Sequence, residues 1–577
     1  MQEIADGILL PMNHMIAKTD ICITLDVDGN FRQAEESKLS ISIPCTEDSS
    51  TRVGNIEPHS LHEQLGYLAL DEKKCEAYLN RISAWSSRNS KVKAVHTYIA
   101  NGKIIEDLRL NCISLEGDIS KVFIRFRVES DLSPNLWEDS QIAKAWQEYC
   151  AESDTKEKDI CYATGKMDYP IVKHPKGTNM ATYGAKLVSC NDETNYTYKG
   201  RFRKYEQANV IGREAGHKAH AMLKYLIATQ GYKCDTQAIV VWAVDDGSKQ
   251  PDPFEDSLGL YGLIVKTERD NLIEAQGEII TDYAKQFCSA LSGYGNIGEI
   301  NREVAVMAVD AATTGRMGIT FYQALPQNDY IDRVVEWHES CSWWFSYKGK
   351  EYISAPKADR IIAAVFGEPK GEGYNKVKKQ ARERLLYHIV CGYPLDRSWM
   401  LAAVNRVSQP FSYSKKDGGW DYWLWYDAFN VACAIIRKYY AKEGFGLELD
   451  KNCRNRSYLF GRLLAVADRL ESHARYLQEG KSDTNKRPTN AVRYMSAFAS
   501  KPMRTWKLIY GQLSPYIQRL NGAEWYQQQI DEIMSTFEAE AFSDKALDGR
   551  YTLGYSLQRR ALTTNRKDDY DELEQKD

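Results

Sequence analysis

The sequence has no long apolar run. The longest, Ala238 to Val244, holds seven residues, against the ~20 that a bilayer-crossing helix needs, so no helical membrane span is expected. It also lacks a basic start followed by an apolar stretch, and "MQEIADGILLPMNHM" is not expected to act as a secretory leader. Thirteen cysteines are present without one C-x-x-C pair. The missing pairs and the odd count argue against a zinc ribbon and a disulfide framework, and a reduced cytoplasm fits best. Neither sign of charge dominates, with 75 Lys and Arg against 79 Asp and Glu. Any attraction to nucleic acid must therefore come from local patches.

What is present is a chain of 577 residues, too long for a single core. Up to about residue 355 strand-like and helix-like stretches alternate. "ICITLDVDGNFRQAEE" reads as a hairpin turning at Asp28-Gly29-Asn30, where glycine supplies the positive φ of a tight turn. "KVFIRFRVE" alternates Val122, Ile124, Phe126 and Val128 with Lys121, Arg125 and Arg127, the pattern of a half-exposed strand. "AIVVWAV" and "MGITFYQAL" read as deeply buried strands, and "GREAGHKAHAMLKYLIATQG" as a helix closed by Gly231.

From Pro356 the expectation changes to helix. Blocks begin near Lys357, Asn375, Asp396, Trp420, Arg454, Thr489, Pro502 and Ala523. In the block 458–478, Leu459, Leu463, Val466, Leu470, Ala474 and Leu477 make one apolar stripe. Residues 451–520 carry 14 Lys and Arg against 4 acids, a net of +10, whereas the terminal "DDYDELEQKD" has six acids in ten residues and is expected to lack fixed structure. The fold class expected is α+β: a mixed α/β region over 1–355, helices over 356–450, a basic helical bundle over 451–545 and a closing segment over 546–577.

Several motifs are weighed against plainer readings. Gly293, Gly295 and Gly298 spell G-x-G-x-x-G but follow helix-like text instead of a strand, so they read as a loop. Asp26 and Asp28, with Asp245 and Asp246, resemble the acids of haloacid-dehalogenase-like phosphohydrolases. The stretch after Asn30 returns as a strand, however, and a hairpin is the simpler reading. Glu214, His217 and His220 share a helix face, but no further cluster completes a metal site. His338 and Cys341 in "WHESCSWW" read as part of a packed aromatic helix. No cofactor and no metal are expected, and no catalytic residues are assigned.

Two stretches point toward nucleic acid. "YTYKGRFRKY" at 196–205 interleaves four aromatics with Lys199, Arg201, Arg203 and Lys204, a mixture suited to phosphates and stacked bases; an exposed strand is the plain alternative. The basic helical region, with Arg462, Arg469, Arg487, Arg493, Arg504 and Lys507, suits a strand path or, equally, an acidic protein partner.

"PCTEDSSTRVGNIEPHSLHEQLGYLA" at 44–69 resembles the N-terminal signature of the large subunit of type I-C CRISPR effector complexes (Cascade). "CYATGKMDYPIVKHPKG", "VDAATTGRMGITFYQAL", "VVEWHESCSW", "RNRSYLFGRLLAVADRLE" and "LDGRYTLGYSLQRRALTT" look like further blocks of that family in order. The resemblance implies a non-catalytic subunit that reads a short protospacer-adjacent motif in double-stranded target DNA and helps to open it. It also implies crRNA, a filament backbone, a crRNA-end-binding subunit and small subunits as partners, a displaced single strand, and a helicase-nuclease recruited transiently, with no membrane. Within this frame Thr51, Arg52, Asn55 and His59 become the motif-reading candidates, held by Pro44, Gly54, Pro58 and a helix expected from Ser60. A phosphohydrolase using Asp26 and Asp28, or a plain RNA-binding scaffold, remains the alternative at this stage.

Overall fold

A computed structural model describes residues 10–52, 54–115, 117–129, 133–153, 157–189, 202–203, 208–265, 302–348, 350–368, 371–415, 419–479 and 487–574. The G-x-G-x-x-G stretch, Lys199, Arg201 and Lys204 lie outside them.

The N-terminal sheet grows from the expected hairpin. β1 (His14–Leu25) and β2 (Phe31–Pro44) pair antiparallel from His14↔Pro44 to Leu25↔Phe31, and Gly29 takes φ +86° at the turn. A short helix, α1 (Glu47–Thr51), leads to β3 (Glu63–Gln64), and β4 (Phe123–Val128) completes the sheet in the order β2-β1-β4-β3. β4 lies between two neighbours, parallel to β1 and antiparallel to β3. Its residues are buried on both faces, all but Arg127 fully, and the expectation of a half-exposed β4 is wrong. Arg125 is buried, donating to Thr19 Oγ1 at 2.9 Å and to the Ser37 carbonyl, with its guanidinium 5.2 Å from the Trp137 ring.

One face of the sheet carries the core. Ile21, Ile23, Leu25, Ile124 and Phe126 pack with Tyr78 and Trp85 of α2 (Glu72–Ser86), Val95 of α3 (Ser90–Ala100) and Trp146 of α4 (Ser140–Glu152). α5 (Arg213–Gln230) is the helix expected to end at Gly231.

A second sheet runs β8-β7-β6-β5, from β5 (Tyr232–Cys234), β6 (Gln237–Ala243), β7 (Glu303–Thr313) and β8 (Arg316–Pro326). β6 is buried as expected. β8, which contains "MGITFYQAL", is an edge strand with only Met317 and Phe321 buried, because one side has no neighbouring strand in its sheet. After α6 (Gln327–Cys341) comes the hairpin β9 (Trp343–Tyr347) and β10 (Lys350–Ser354).

Every described element beyond Ser354 is helical. The eight expected blocks appear, among them α7 (Tyr422–Tyr439), α8 (Arg456–Glu479), α9 (Asn490–Arg493) and α10 (Pro502–Arg519). A closing helix, α11 (Arg550–Glu574), carries its backbone into the acidic tail, which was expected to be unstructured. By compactness the chain divides into Met1–Val240 with Ala308–Thr320, and Val241–Met307 with Phe321–Asp577, so the compact units do not follow the switch from strands to helices. Among the described residues no helix is long and apolar enough to cross a membrane.

The second unit is organised around α8. Residues 457–468 are buried on every face, not along one stripe, and Leu477 of the expected stripe is exposed. Gly461 and Gly554 let α8 and α11 cross at backbone contact. A Cβ on Gly461 would fall 1.9 Å from the Tyr551 carbonyl oxygen, and one on Gly554 would fall 2.1 Å from that of Tyr458.

Candidate nucleic-acid interface

The stretch 45–62 carries the chain from one edge of the N-terminal sheet, β2, to the other, β3. Its start is fixed by a capping box: Thr46 Oγ1 accepts from the Ser49 amide at 3.0 Å, and Ser49 Oγ from the Thr46 amide at 2.9 Å. No helix begins at Ser60. The chain bends through 60–62 before entering β3, Ser60 Oγ is buried without a partner, and a π-helical turn follows only at Gly66–Leu70. Pairing of Glu63 and Gln64 with β4 takes up the residues that a helix would have used.

Glu63 anchors the loop. Its carboxylate is fully buried and accepts Arg52 Nη1 at 2.6 Å, Arg52 Nη2 at 2.8 Å, the His59 amide at 2.6 Å and the Gln64 amide at 2.7 Å. Arg52 also donates to the Glu57 carbonyl at 2.8 Å and lies 4.5 Å from the Tyr67 ring centroid. A bidentate guanidinium with a stacked face is rigid. Arg52 is therefore a strut within the loop, and its donors are not offered to a groove.

His59 is likewise turned inward. It is buried, its Nδ1 lies 3.2 Å from Ser49 Oγ, and burial pushes its pKa down to about 4. Two of the four motif-reading candidates, Arg52 and His59, thus face inward and hold the loop from inside. Thr51 ends α1, and its side chain lies outside the described residues. Asn55 is exposed at the tip, between Gly54 at φ +78° and the exposed Ile56. Tyr67 Oη donates to the Asn55 carbonyl at 3.5 Å and steadies the backbone from below. The sequence reading missed Glu63 and Tyr67. An acid inside the apolar text "LHEQLGYLAL" was the available sign, since a buried carboxylate needs a cation.

The basic candidates divide in the same way. Arg462 is buried, with Nε donating to Gln558 Oε1 at 2.8 Å and Nη1 to the Lys451 carbonyl at 3.2 Å. Arg469 is half-buried, and its Nε has no hydrogen-bond partner. Arg462 offers no surface cation, because α8 is enclosed over 457–468, and Arg469 just beyond is partly covered. Arg487, Arg493, Arg504 and Lys507 are exposed on α9, α10 and the residues beside them. Arg203 is exposed too.

Several of the groups weighed for enzymatic alternatives are engaged in local contacts. Asp26 caps the hairpin, accepting from the Asp28 amide at 3.0 Å, the Asn30 amide at 2.8 Å and Asn30 Nδ2 at 3.0 Å, and pairs with Arg32 at 3.1 Å. A carboxylate so occupied is a poor nucleophile. Asp245 and Asp246 pair with Arg302 at 2.9 and 3.0 Å, and Glu214 pairs with Lys218. Among the described residues no three His, Cys, Asp or Glu gather as a metal-ligand set. His338 lies 2.8 Å from Ser257 Oγ, but both are buried, and burial pushes the Cys341 thiol up to about 12.

No curated protein matches the chain. The family described as CRISPR-associated protein (Cas_Csd1) matches it over residues 1–563, a span that includes the sheet, the anchored loop and the helical region, and the chain belongs to that family.

Proposed function

We propose that this chain is the non-catalytic large subunit of a crRNA-guided type I-C surveillance complex in the cytoplasm. It reads a short flanking motif in duplex DNA, aids opening of the duplex, and supports recruitment of a helicase-nuclease. Family membership supports a CRISPR effector role. The observation that carries the motif-reading role is the loop at 45–62: an exposed Asn55 on a tip whose base is locked by Glu63 and Arg52. Base-edge contacts discriminate by ~1–3 kcal/mol each, and a mobile loop would lose that margin to ordering entropy. An amide side chain presents both a donor and an acceptor, as base readout requires.

Sequence beyond the motif is left to RNA–DNA pairing. The exposed Arg487, Arg493, Arg504 and Lys507 supply a path for a displaced strand. Gentle purification of the tagged chain from its native cells tests the whole reading. Uniform short RNAs sharing repeat-derived ends, with companion subunits, are expected. A chain that emerges alone and free of RNA overturns it.

A further inference from the structure

Behind α1 lies a cavity of about 460 Å³, within the ~300–1,000 Å³ usual for small-ligand sites. Much of its lining is apolar, including Met12, Met15, Pro175, Met180 and Tyr183. Lysines line it as well: Lys18, Lys173, Lys176, Lys218 and Lys224. Lys173 is neutralised by Asp48 and Lys218 by Glu214. Lys18, Lys176 and Lys224 have no ion-pair partner among the described residues. Burial holds Lys176 and Lys224 below the usual lysine range, and burial together with the charges of Lys176 and Lys173 does the same to Lys186 nearby. Lys18 is exposed, but Lys176 and Lys224 are half-buried; half-buried ammonium groups without a counter-ion are costly, and an anion relieves that cost.

The cavity also carries two imidazoles, one of them an acceptor. His217 and His220 of α5 line it, and the Nε2 of each is buried without a hydrogen-bond partner. His220 is 8% exposed, and its Nδ1 lies 2.7 Å from the Gly216 carbonyl. The carbonyl can only accept, so the proton sits on Nδ1 and Nε2 is left as a lone pair. A fitting ligand has a flat apolar body, an N–H or O–H on its edge, and an anionic group. A fatty-acyl carboxylate would use the apolar lining and one lysine but leave the His220 acceptor unpaired.

We propose that this cavity binds one nucleoside monophosphate unit, with its ring against Met180 and Tyr183, its phosphate on Lys176 and Lys224, and an edge N–H given to His220 Nε2. The unit is either a nucleotide unstacked from a nucleic-acid strand or a free nucleotide. The strand source rests on the function proposed above and has a structural basis: Thr46, Glu47 and Ser50 of the cavity wall belong to α1 and its cap, which lead directly into the Gly54–Ile56 tip. A base extruded beside the read motif would be held on the other side of the same short helix.

The test uses the full chain in its complex, wild type and Lys176→Gln/Lys224→Gln, with three probes: a fully paired duplex carrying the motif, the same duplex with a short unpaired run beside the motif, and AMP. For a strand-borne nucleotide, the double variant loses roughly ten-fold in affinity for the unpaired probe, with a salt slope smaller by about one for each phosphate no longer neutralised, while the paired duplex binds as before. For a free nucleotide, AMP binds in the micromolar range, the variant abolishes that binding, and both DNA probes are unaffected. A variant that melts like wild type and binds all three probes like wild type overturns the proposal. Should the double variant not fold, Ala221→Phe, which fills the cavity without changing charge, must give the same losses. If wild type ignores both DNA probes, the motif-reading function fails, and the AMP arm still decides whether the cavity takes a nucleotide.

Discussion

At the scale of single residues, the loop separates positioning from contact. Arg52→Ala leaves the Glu63 carboxylate buried without its cation, and removing one partner of a buried pair costs ~3–5 kcal/mol. Thermal or urea unfolding of the first unit is expected to show a loss of at least about 3 kcal/mol, with motif binding lost as the loop detaches. Asn55→Ala leaves stability within ~0.5 kcal/mol, as usual for exposed sites. It is expected to relax discrimination at one flanking base pair by ~1–3 kcal/mol, read by binding to a library of flanking sequences. A uniform fall across the library would exclude base reading by Asn55. Residue types alone could not rank these side chains. Arg52 and Asn55 are both polar loop residues, and only the buried acid eleven positions beyond Arg52 tells strut from probe.

At the scale of elements, periodicity located helices well and burial poorly. The hairpin and the eight helical blocks were legible because turn residues and 3.6-residue spacing are local properties. Which faces are covered is not local. α8 was read as one apolar stripe, which left Arg462 free to face solvent. The helix is enclosed over 457–468 instead, and Arg462 spends its guanidinium on Gln558 and Lys451. Arg462→Ala is therefore expected to destabilise the second unit by about 1–3 kcal/mol, through unpaired buried acceptors. Substituting Arg487, Arg493, Arg504 and Lys507 with Gln is expected to leave melting unchanged and to lower the salt slope of DNA binding by about one for each phosphate that loses its cation. Binding of the quadruple variant that tracks wild type at every salt concentration would remove these residues from the DNA path. The same non-locality applies to β4, whose Arg125 belongs to an alternating, half-exposed pattern yet is buried against Thr19, Ser37 and Trp137.

At the scale of the whole molecule, buried histidines set an acid limit. Burial pushes His59 down to about 4 and His62 to about 3, from 6.5. The unfolded chain therefore takes up these protons first. Stability is full above pH 6.5 and falls as pH drops from 6.5 toward 4, by up to ~1.4 kcal/mol per pH unit for each histidine. Melting curves of the first unit from about pH 7.5 to about pH 5 are expected to show this slope, and His62→Phe to reduce it by one proton's worth. A flat profile would mean that the rings are not buried as described. The glycine crossing of α8 and α11 bears on a different property, the order of assembly. α8 is covered by a helix that lies well beyond it in the chain, so this crossing cannot close until Arg550 and the residues after it have been made. A fragment that begins near residue 451 would still carry both halves of the crossing, whereas a chain cut short before Arg550 would keep a central helix with one side bare.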